Sequence, residues 1–191
     1  MFTRYLRPGL SLVFAMTLLV GVIYPFALTG VSKLAFARQA QGSLLYENGE
    51  LIGSELIGQN FTDPKYFWGR PSATTPQPYN GVNSGGSNFG PLNPALIDKV
   101  NANSKALHDA DPSNKTQIPI ELVTASTSGL DPEISPAAAF YQAARVARAR
   151  NISIAKVLAL IEAHQRKPLL GVVGEPVVNV LALNRDLDKQ H

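Results

Sequence analysis

The 191-residue sequence contains no cysteine, and charged side chains make up only 16% of it. Without cysteine, the redox environment of the protein leaves no trace in the sequence. Charge is missing altogether from residues 8–32. A helix of that length would reach about 37 Å, which exceeds the roughly 30 Å hydrocarbon core of a bilayer. We therefore predict a transmembrane helix over residues 8–32, preceded by a short cytoplasmic amino terminus, residues 1–7.

A cleaved signal peptide is the competing interpretation of this uncharged run. Arg4 and Arg7 would form its basic region, residues 35–37 would be the cleavage site, and a secreted binding module would begin near Arg38. Apolar regions of signal peptides are about 7–15 residues long, which favours a retained single-pass anchor here. The charges that flank the run only slightly favour a cytoplasmic amino terminus. Residues 33–191 would then form an extracytoplasmic domain.

The basic charge of the chain is concentrated beside the uncharged run. The formal net charge is +3, but setting aside the four basic residues that flank the run leaves 13 of the 17 basic side chains against 14 acidic ones. A nearly neutral domain lacks the positive surface that a phosphate backbone requires, so we predict no nucleic-acid partner. The flanking cations suit lipid headgroups of a bilayer.

The residues after the run predict one domain of the α+β class. An Asn-Gly pair at positions 48 and 49 predicts a hairpin between strands at residues 43–46 and 51–53. Residues 62–94 are dense in proline, glycine, asparagine and serine, which predicts a long ordered loop. A further strand is expected over residues 118–123, at a sheet edge because it contains proline.

Capping residues predict where the helices of this domain begin. Asn93 and Ser135 each precede a proline, the pair typical of a helix start. The helix after Ser135 is expected to reach about Arg150, and basic side chains at positions 145, 148 and 150 are interpreted as solvated charges at its carboxyl end. Ser153 would begin a third helix that residues 167–168 end, and Asn179 a last one.

Signatures of catalysis and metal binding are mostly missing. There is no phosphate-binding Gly-x-x-x-x-Gly-Lys loop and no Gly-x-Ser-x-Gly sequence, and His108, His164 and His191 lack metal-ligand spacing. Residues 84–88 are glycine-rich without a lysine, which favours a tight turn with positive φ, or a loop that contacts a partner. We therefore predict no catalytic residue and no metal site.

One catalytic alternative stays open at residues 153–156. Ser153 and Lys156 form a Ser-x-x-Lys sequence, the nucleophile pair of some membrane-anchored extracytoplasmic serine hydrolases. The companion motifs Ser-Asp-Asn and Lys-Thr-Gly are missing from the sequence. A helix cap at Ser153 and a solvated Lys156 are therefore the favoured interpretation.

Several ordered motifs resemble the C subunit of the bacterial Kdp potassium-transporting P-type ATPase. The resemblance covers essentially the full length, including the single amino-terminal span. It rests on residues 53–61, 69–73, 84–88, 122–126, 128–131, 134–136 and 176–180.

The resemblance implies an accessory, non-catalytic subunit of a high-affinity potassium uptake complex in the bacterial inner membrane. Its partners would be a potassium-channel-like subunit and the P-type catalytic subunit, whose ATP affinity the C subunit raises as a catalytic chaperone. No firmly bound cofactor is implied, and ATP would act through the complex. Gln142 resembles the family's proposed nucleotide contact. With a cytoplasmic amino terminus, that residue would be separated from ATP by the membrane, so we expect an allosteric effect instead.

The same motifs, together with breaks in the uncharged run, provide candidates for contact with partner subunits. These are Gly21, Pro25, Gln59, Asn60, Arg70, Pro71, Ser84, Gly85, Gly86, Ser87, Asn88 and Asp131.

Overall fold

The structure is a computed structural model, and it describes residues 2–168 and 171–190. The chain divides into two compact units, one ending at Ile52 and the other beginning at Gly53. The helices are Phe2–Leu18 (α1), Tyr24–Ala35 (α2), Ala37–Ala40 (α3), Pro94–Ala110 (α4), Pro136–Arg150 (α5), Ile154–His164 (α6) and Val180–Asp188 (α7), with a π turn at Leu19–Ile23 and a 3-10 turn at Ile120–Leu122. The strands are Leu44–Glu47 (β1), Glu50–Ser54 (β2), Glu133–Ile134 (β3), Gln165–Arg166 (β4) and Val177–Asn179 (β5).

The uncharged run is helical and continues beyond its predicted bounds. Arg4–Ala35 forms one helical stretch of 32 residues, long and apolar enough to cross a membrane. At 1.5 Å per residue this stretch is about 48 Å long. The predicted span, residues 8–32, lies within it. Of the predicted cytoplasmic segment, residues 2–7 belong to α1, and Met1 lies outside the described residues.

The predicted hairpin is confirmed. β1 and β2 pair with each other, and the two residues between them, Asn48 and Gly49, have φ values of 50° and 84°. Positive φ at both central residues is what a two-residue hairpin turn of the primed type requires.

The second unit packs three helices around a small antiparallel sheet. β5 lies between β3 and β4, with Ile134 opposite Val178 and Gln165 opposite Val178 on the other side. The predicted caps are confirmed: the Ser135, Ser153 and Asn179 side chains accept main-chain N–H groups at the starts of α5, α6 and α7. The most deeply buried apolar side chains include Phe67, Ile134, Val146, Val157, Ile161, Val178, Leu183 and Leu187.

The predicted long loop is confirmed, since residues 55–93 contain neither helix nor strand. The loop is nonetheless anchored in the core, because Phe67 is fully buried there. Asn93 ends the loop by capping α4, where its side chain accepts the Ala95 N–H at 3.0 Å.

Two predictions about regular structure are wrong. Residues 118–123 form no strand: the Leu122 N–H bonds to the Pro119 carbonyl at 3.0 Å, which closes a 3-10 turn, and Ile120 is 76% exposed. The helix after Ser153 ends at His164 and not at residues 167–168. Gln165 and Arg166 instead extend as β4, because β5 offers them a strand to pair with.

Candidate functional site

Gln142, the residue that the resemblance connects with a nucleotide, is buried on α5 and 1% exposed. Its Oε1 accepts the Trp68 N–H at 2.8 Å and the Arg145 Nη2–H at 2.7 Å. Its Nε2 donates to the Trp68 carbonyl at 3.0 Å and to the Ala138 carbonyl at 3.2 Å. A carboxamide offers two N–H donors and one oxygen with two lone pairs. Protein groups therefore use its whole hydrogen-bonding capacity.

Asn184 on α7 binds the preceding loop residue in the same way. Its Oδ1 accepts the Phe67 N–H at 2.8 Å, its Nδ2 donates to the Phe67 carbonyl at 2.9 Å, and it too is 1% exposed. Two amide side chains thus satisfy all four main-chain polar groups of two successive residues, as neighbouring strands would. We call this arrangement of Gln142, Asn184, Phe67 and Trp68 the amide clamp.

Arg145 extends the amide clamp, and its prediction as a solvated charge is wrong. The side chain is 4% exposed, and its Nη1 donates to the carbonyls of Pro64 and Tyr66. Its guanidinium lies 4.4 Å from the centre of the Trp68 ring, a cation–π distance. Burial lowers the pKa of Arg145 to about 10. Because its guanidinium donates to two loop carbonyls and to Gln142, this arginine holds the loop in place.

The other two arginines of this helix end are engaged in ion pairs. Arg148 contacts the buried Asp111 carboxylate, and Arg150 lies 2.7 Å from Asp188 Oδ1. Burial alone would raise the pKa of Asp111, but hydrogen bonds from Arg148 and Ser113 lower it overall. The end of α5 is therefore bonded to neighbouring segments, although the Arg148 side chain stays 55% exposed.

Four predicted partner-contact residues line one groove. Its volume is about 400 Å³, and Gln59, Asn60, Arg70 and Pro71 form part of its wall beside Trp68. Gln142 is not among its lining residues, although it bonds to the main chain of Trp68, which is. Helix α4 contributes Asn103, Ala106 and Leu107 to the lining.

Asp131, predicted from a distant motif, reaches this groove through an ion pair. Arg70 Nη1 lies 3.1 Å from Asp131 Oδ2, and both side chains are partly exposed. The Tyr79 hydroxyl donates to the Arg70 carbonyl at 2.5 Å. Burial, and then the Asp131 charge, raise the pKa of Tyr79 to about 12. The groove wall is thus held by the hydrogen bonds of its own residues.

The glycine-rich residues 84–88 pack against another segment of the domain. The Gly85 N–H and the Ser84 hydroxyl both donate to the Ser128 carbonyl, at 2.9 and 3.0 Å. A Cβ atom on Gly86 would lie 2.8 Å from the Thr127 carbonyl oxygen. The prediction of a positive-φ glycine turn is wrong in detail, since the positive φ, 52°, belongs to Asn88. Close backbone approach explains Gly86.

The remaining candidates lie apart from the groove. Ser87 lines a neighbouring cavity of about 220 Å³ that shares Pro71 with it. Gly21 and Pro25 belong to the apolar helix of the other unit.

Within the described ranges, no group of three histidine, cysteine or acidic residues could hold a metal ion. His164 lies 2.9 Å from Asp186, and His191 is outside the described residues.

Ser153, the nucleophile in the serine hydrolase alternative, is a helix cap in the structure. Ser153 Oγ accepts the main-chain N–H of Lys156 at 3.4 Å, and both residues are exposed. A hydroxyl used in this way satisfies the first turn of α6.

Sequence inspection missed Asn184 as a residue that holds the site. Asn184 and Phe67 are 117 positions apart, and an isolated asparagine in a helical pattern carries no signal of such a contact. The available hint was the presence of polar residues, Gln142 and Asn184, on largely apolar helix faces.

Comparison with known proteins places almost the full length of the chain in one family. Residues 6–189 match the family described as "KdpC: K+-transporting ATPase, c chain". A protein of Herminiimonas arsenicoxydans named potassium-transporting ATPase KdpC subunit is 58% identical over 186 residues, covering 97% of this chain and 98% of that protein. A protein of the same name from Variovorax paradoxus is 59% identical over 183 residues, covering 96% and 95%. The chain therefore belongs to the KdpC family of potassium-transporting ATPase subunits.

Proposed function

We propose that this chain is an accessory, non-catalytic subunit of an ATP-driven potassium uptake complex in the bacterial inner membrane. It assembles with a channel-like subunit and with a P-type subunit that hydrolyses ATP. The observation that carries this proposal is the family match over residues 6–189, supported by relatives whose names assign them to a potassium-transporting ATPase.

In this proposal the apolar helix Arg4–Ala35 crosses the bilayer once, with its amino terminus in the cytoplasm. The predicted extracytoplasmic domain, residues 33–191, lies outside the cytoplasm, near the entrance for ions. The groove beside Arg70 and the partly exposed glycine-rich loop are its contacts with partner subunits. The helix supplies the contacts within the membrane, where small residues allow close packing.

The effect on ATP affinity is proposed to be allosteric. In the proposed topology only about seven residues face the cytoplasmic ATP pool, in a segment far too short for a nucleotide site. Gln142 supports the same conclusion, because binding a nucleotide would require it to give up bonds to Trp68, Arg145 and Ala138. A coupling free energy of about 1–3 kcal/mol would change ATP affinity by about 5–150-fold.

Co-purification tests the assembly. The chain is expressed with its two proposed partners, extracted in mild detergent and isolated through a tag on the catalytic subunit. We expect this chain to be retained, and potassium-stimulated ATPase activity to be lost when it is omitted. Unchanged activity without the chain would contradict the proposal, and a mature protein beginning at Arg38 would favour the secreted alternative.

A matched pair of variants tests the allosteric effect. Gln142→Ala and Asn184→Ala each remove half of the amide clamp, but only Gln142 resembles a nucleotide contact. We expect both to weaken the chain's effect on the KM for ATP to a similar extent, because both release the same loop. Specific micromolar ATP binding to the isolated full-length chain, abolished by Gln142→Ala and retained in Asn184→Ala, would overturn the allosteric proposal.

A further inference from the structure

The apolar helix contains a π turn at Leu19–Ile23, directly before a proline. The Tyr24 N–H bonds to the Leu19 carbonyl, five residues back rather than four. Pro25 follows at the start of α2 and has no N–H to donate. Single π turns within α-helices occur frequently at functional sites.

The π turn and the proline together leave a main-chain carbonyl without a donor. The Val20 carbonyl would accept from residue 24 in an α-helix or from residue 25 in a π-helix. Residue 24 is engaged with Leu19, and residue 25 is proline. The Gly21 carbonyl likewise loses residue 25, its regular donor. Within the described helix, the Val20 carbonyl therefore has no regular main-chain donor.

In a membrane this carbonyl lies where water cannot satisfy it. About 24 Å of helix separate Val20 from Arg4, and about 22 Å separate it from Ala35. No side chain between residues 8 and 32 is charged, so the position suits the hydrocarbon core. An unsatisfied main-chain polar group costs several kcal/mol there, and neighbouring helices commonly supply the missing bond.

Gly21 leaves this carbonyl open to a neighbour. A Cβ atom on Gly21 would meet only the Thr17 methyl group, at 3.8 Å. Another helix can therefore approach the backbone closely at this residue, as small residues permit in membranes. An exposed acceptor and an open surface thus coincide within one turn.

We infer that the turn at Val20 and Gly21 docks a transmembrane helix of a partner subunit, which donates a hydroxyl or carboxamide hydrogen bond to the freed carbonyl. This inference rests on the proposed function, because it needs the chain to span a membrane within a complex. A second copy of the chain is the poorer occupant. In a parallel pair the two Val20 carbonyls would face each other, acceptor against acceptor.

Two substitutions remove different halves of the docking site, and each has a matched control. Gly21→Leu blocks close approach, and its control is Gly30→Leu. Gly30 also faces open space but follows Gly21 by nine residues, so it lies on roughly the opposite helix face. Pro25→Ala restores the missing N–H, and its control is Pro8→Ala, the other proline within the helix. Each variant is expressed with both partners, and the fraction of this chain retained on the tagged catalytic subunit is measured in mild detergent.

We expect Gly21→Leu and Pro25→Ala each to lower the ratio of retained to unbound chain about tenfold. Loss of one interhelical hydrogen bond, together with the packing around it, would have an effect of this size. The two control variants should be retained like the unchanged chain. Pro25→Ala removes a helix-breaking residue, so circular dichroism should show helix content at least as high as before.

The possible failures can be told apart. If the unchanged chain is not retained, the proposed function fails. If it is retained and both test variants are retained equally, the docking inference is overturned while the function stands. Loss with Gly21→Leu alone would overturn the hydrogen bond, and loss of self-association instead of partner binding would overturn the choice of occupant.

Discussion

Trp68 and Gln142, 74 positions apart, bond to each other through both main-chain groups of the tryptophan, at 2.8 and 3.0 Å. A carboxamide here takes the place of an adjacent strand. Residues 55–93 contain no strand, so the buried backbone at Phe67 and Trp68 needs partners from elsewhere. Gln142 and Asn184 supply them, and the position of the groove wall beside Trp68 depends on these bonds.

Gln142→Ala should destabilise the domain strongly. It would leave the Trp68 N–H and carbonyl without partners and remove one acceptor of the buried Arg145, which predicts a loss of roughly 2–3 kcal/mol. Urea denaturation of the full chain in detergent measures it. Gln77→Ala, at an exposed glutamine, is the control and should change stability by less than about 0.5 kcal/mol. Equal stability of the two variants would mean that the amide clamp is not structural.

The two glycines of the loop at residues 84–88 should differ in their tolerance of alanine. In Gly86→Ala the new Cβ would lie 2.8 Å from the Thr127 carbonyl oxygen, so main chain must move, at about 1–3 kcal/mol. Gly85 has open space at that position, and Gly85→Ala should stay within about 0.5 kcal/mol of the unchanged protein. Thermal melting compares them. A larger loss in Gly85→Ala would contradict the packing of this loop.

Tyr79 should contribute stability that disappears in alkali. Burial raises the pKa of Tyr79 from 10.0 to about 12, so its contribution is complete below pH 10 and is lost as the pH rises from 10 towards 12. Tyr79→Phe cannot titrate and lacks the bond to the Arg70 carbonyl. The stability difference between the two proteins should be constant from pH 8 to 10 and shrink by pH 11. A difference that stays constant up to pH 11 would contradict the buried hydroxyl.

Local features of the fold were predictable because neighbouring residues determine them. The caps at Ser135 and Asn179 bond within their own first helical turn, and the hairpin turn depends on Asn48 and Gly49 alone. The uncharged run predicts its helix through length and composition. Such features need no knowledge of what the rest of the chain does.

Features that depend on distant segments were not predictable. β4 is extended only because β5 lies beside it, and Arg145 is buried only because the carbonyls of Pro64 and Tyr66 converge on it. The site shows the same division. The motifs pointed to Arg70 and Asp131, but neither sequence nor spacing joined them into one ion pair beside a groove.

Ser153 gives a direct test of the hydrolase alternative, because a cap and a nucleophile tolerate different substitutions. Aspartate caps helices as well as serine does, so Ser153→Asp should keep the stability of the chain, whereas Ser153→Ala should lose about 1 kcal/mol. Neither variant should change potassium-stimulated ATPase activity of the assembled complex. A fluorophosphonate probe, which labels activated serines, should leave the unchanged chain unlabelled. Labelling that both substitutions abolish would establish a nucleophile at Ser153 and contradict its role as a cap alone.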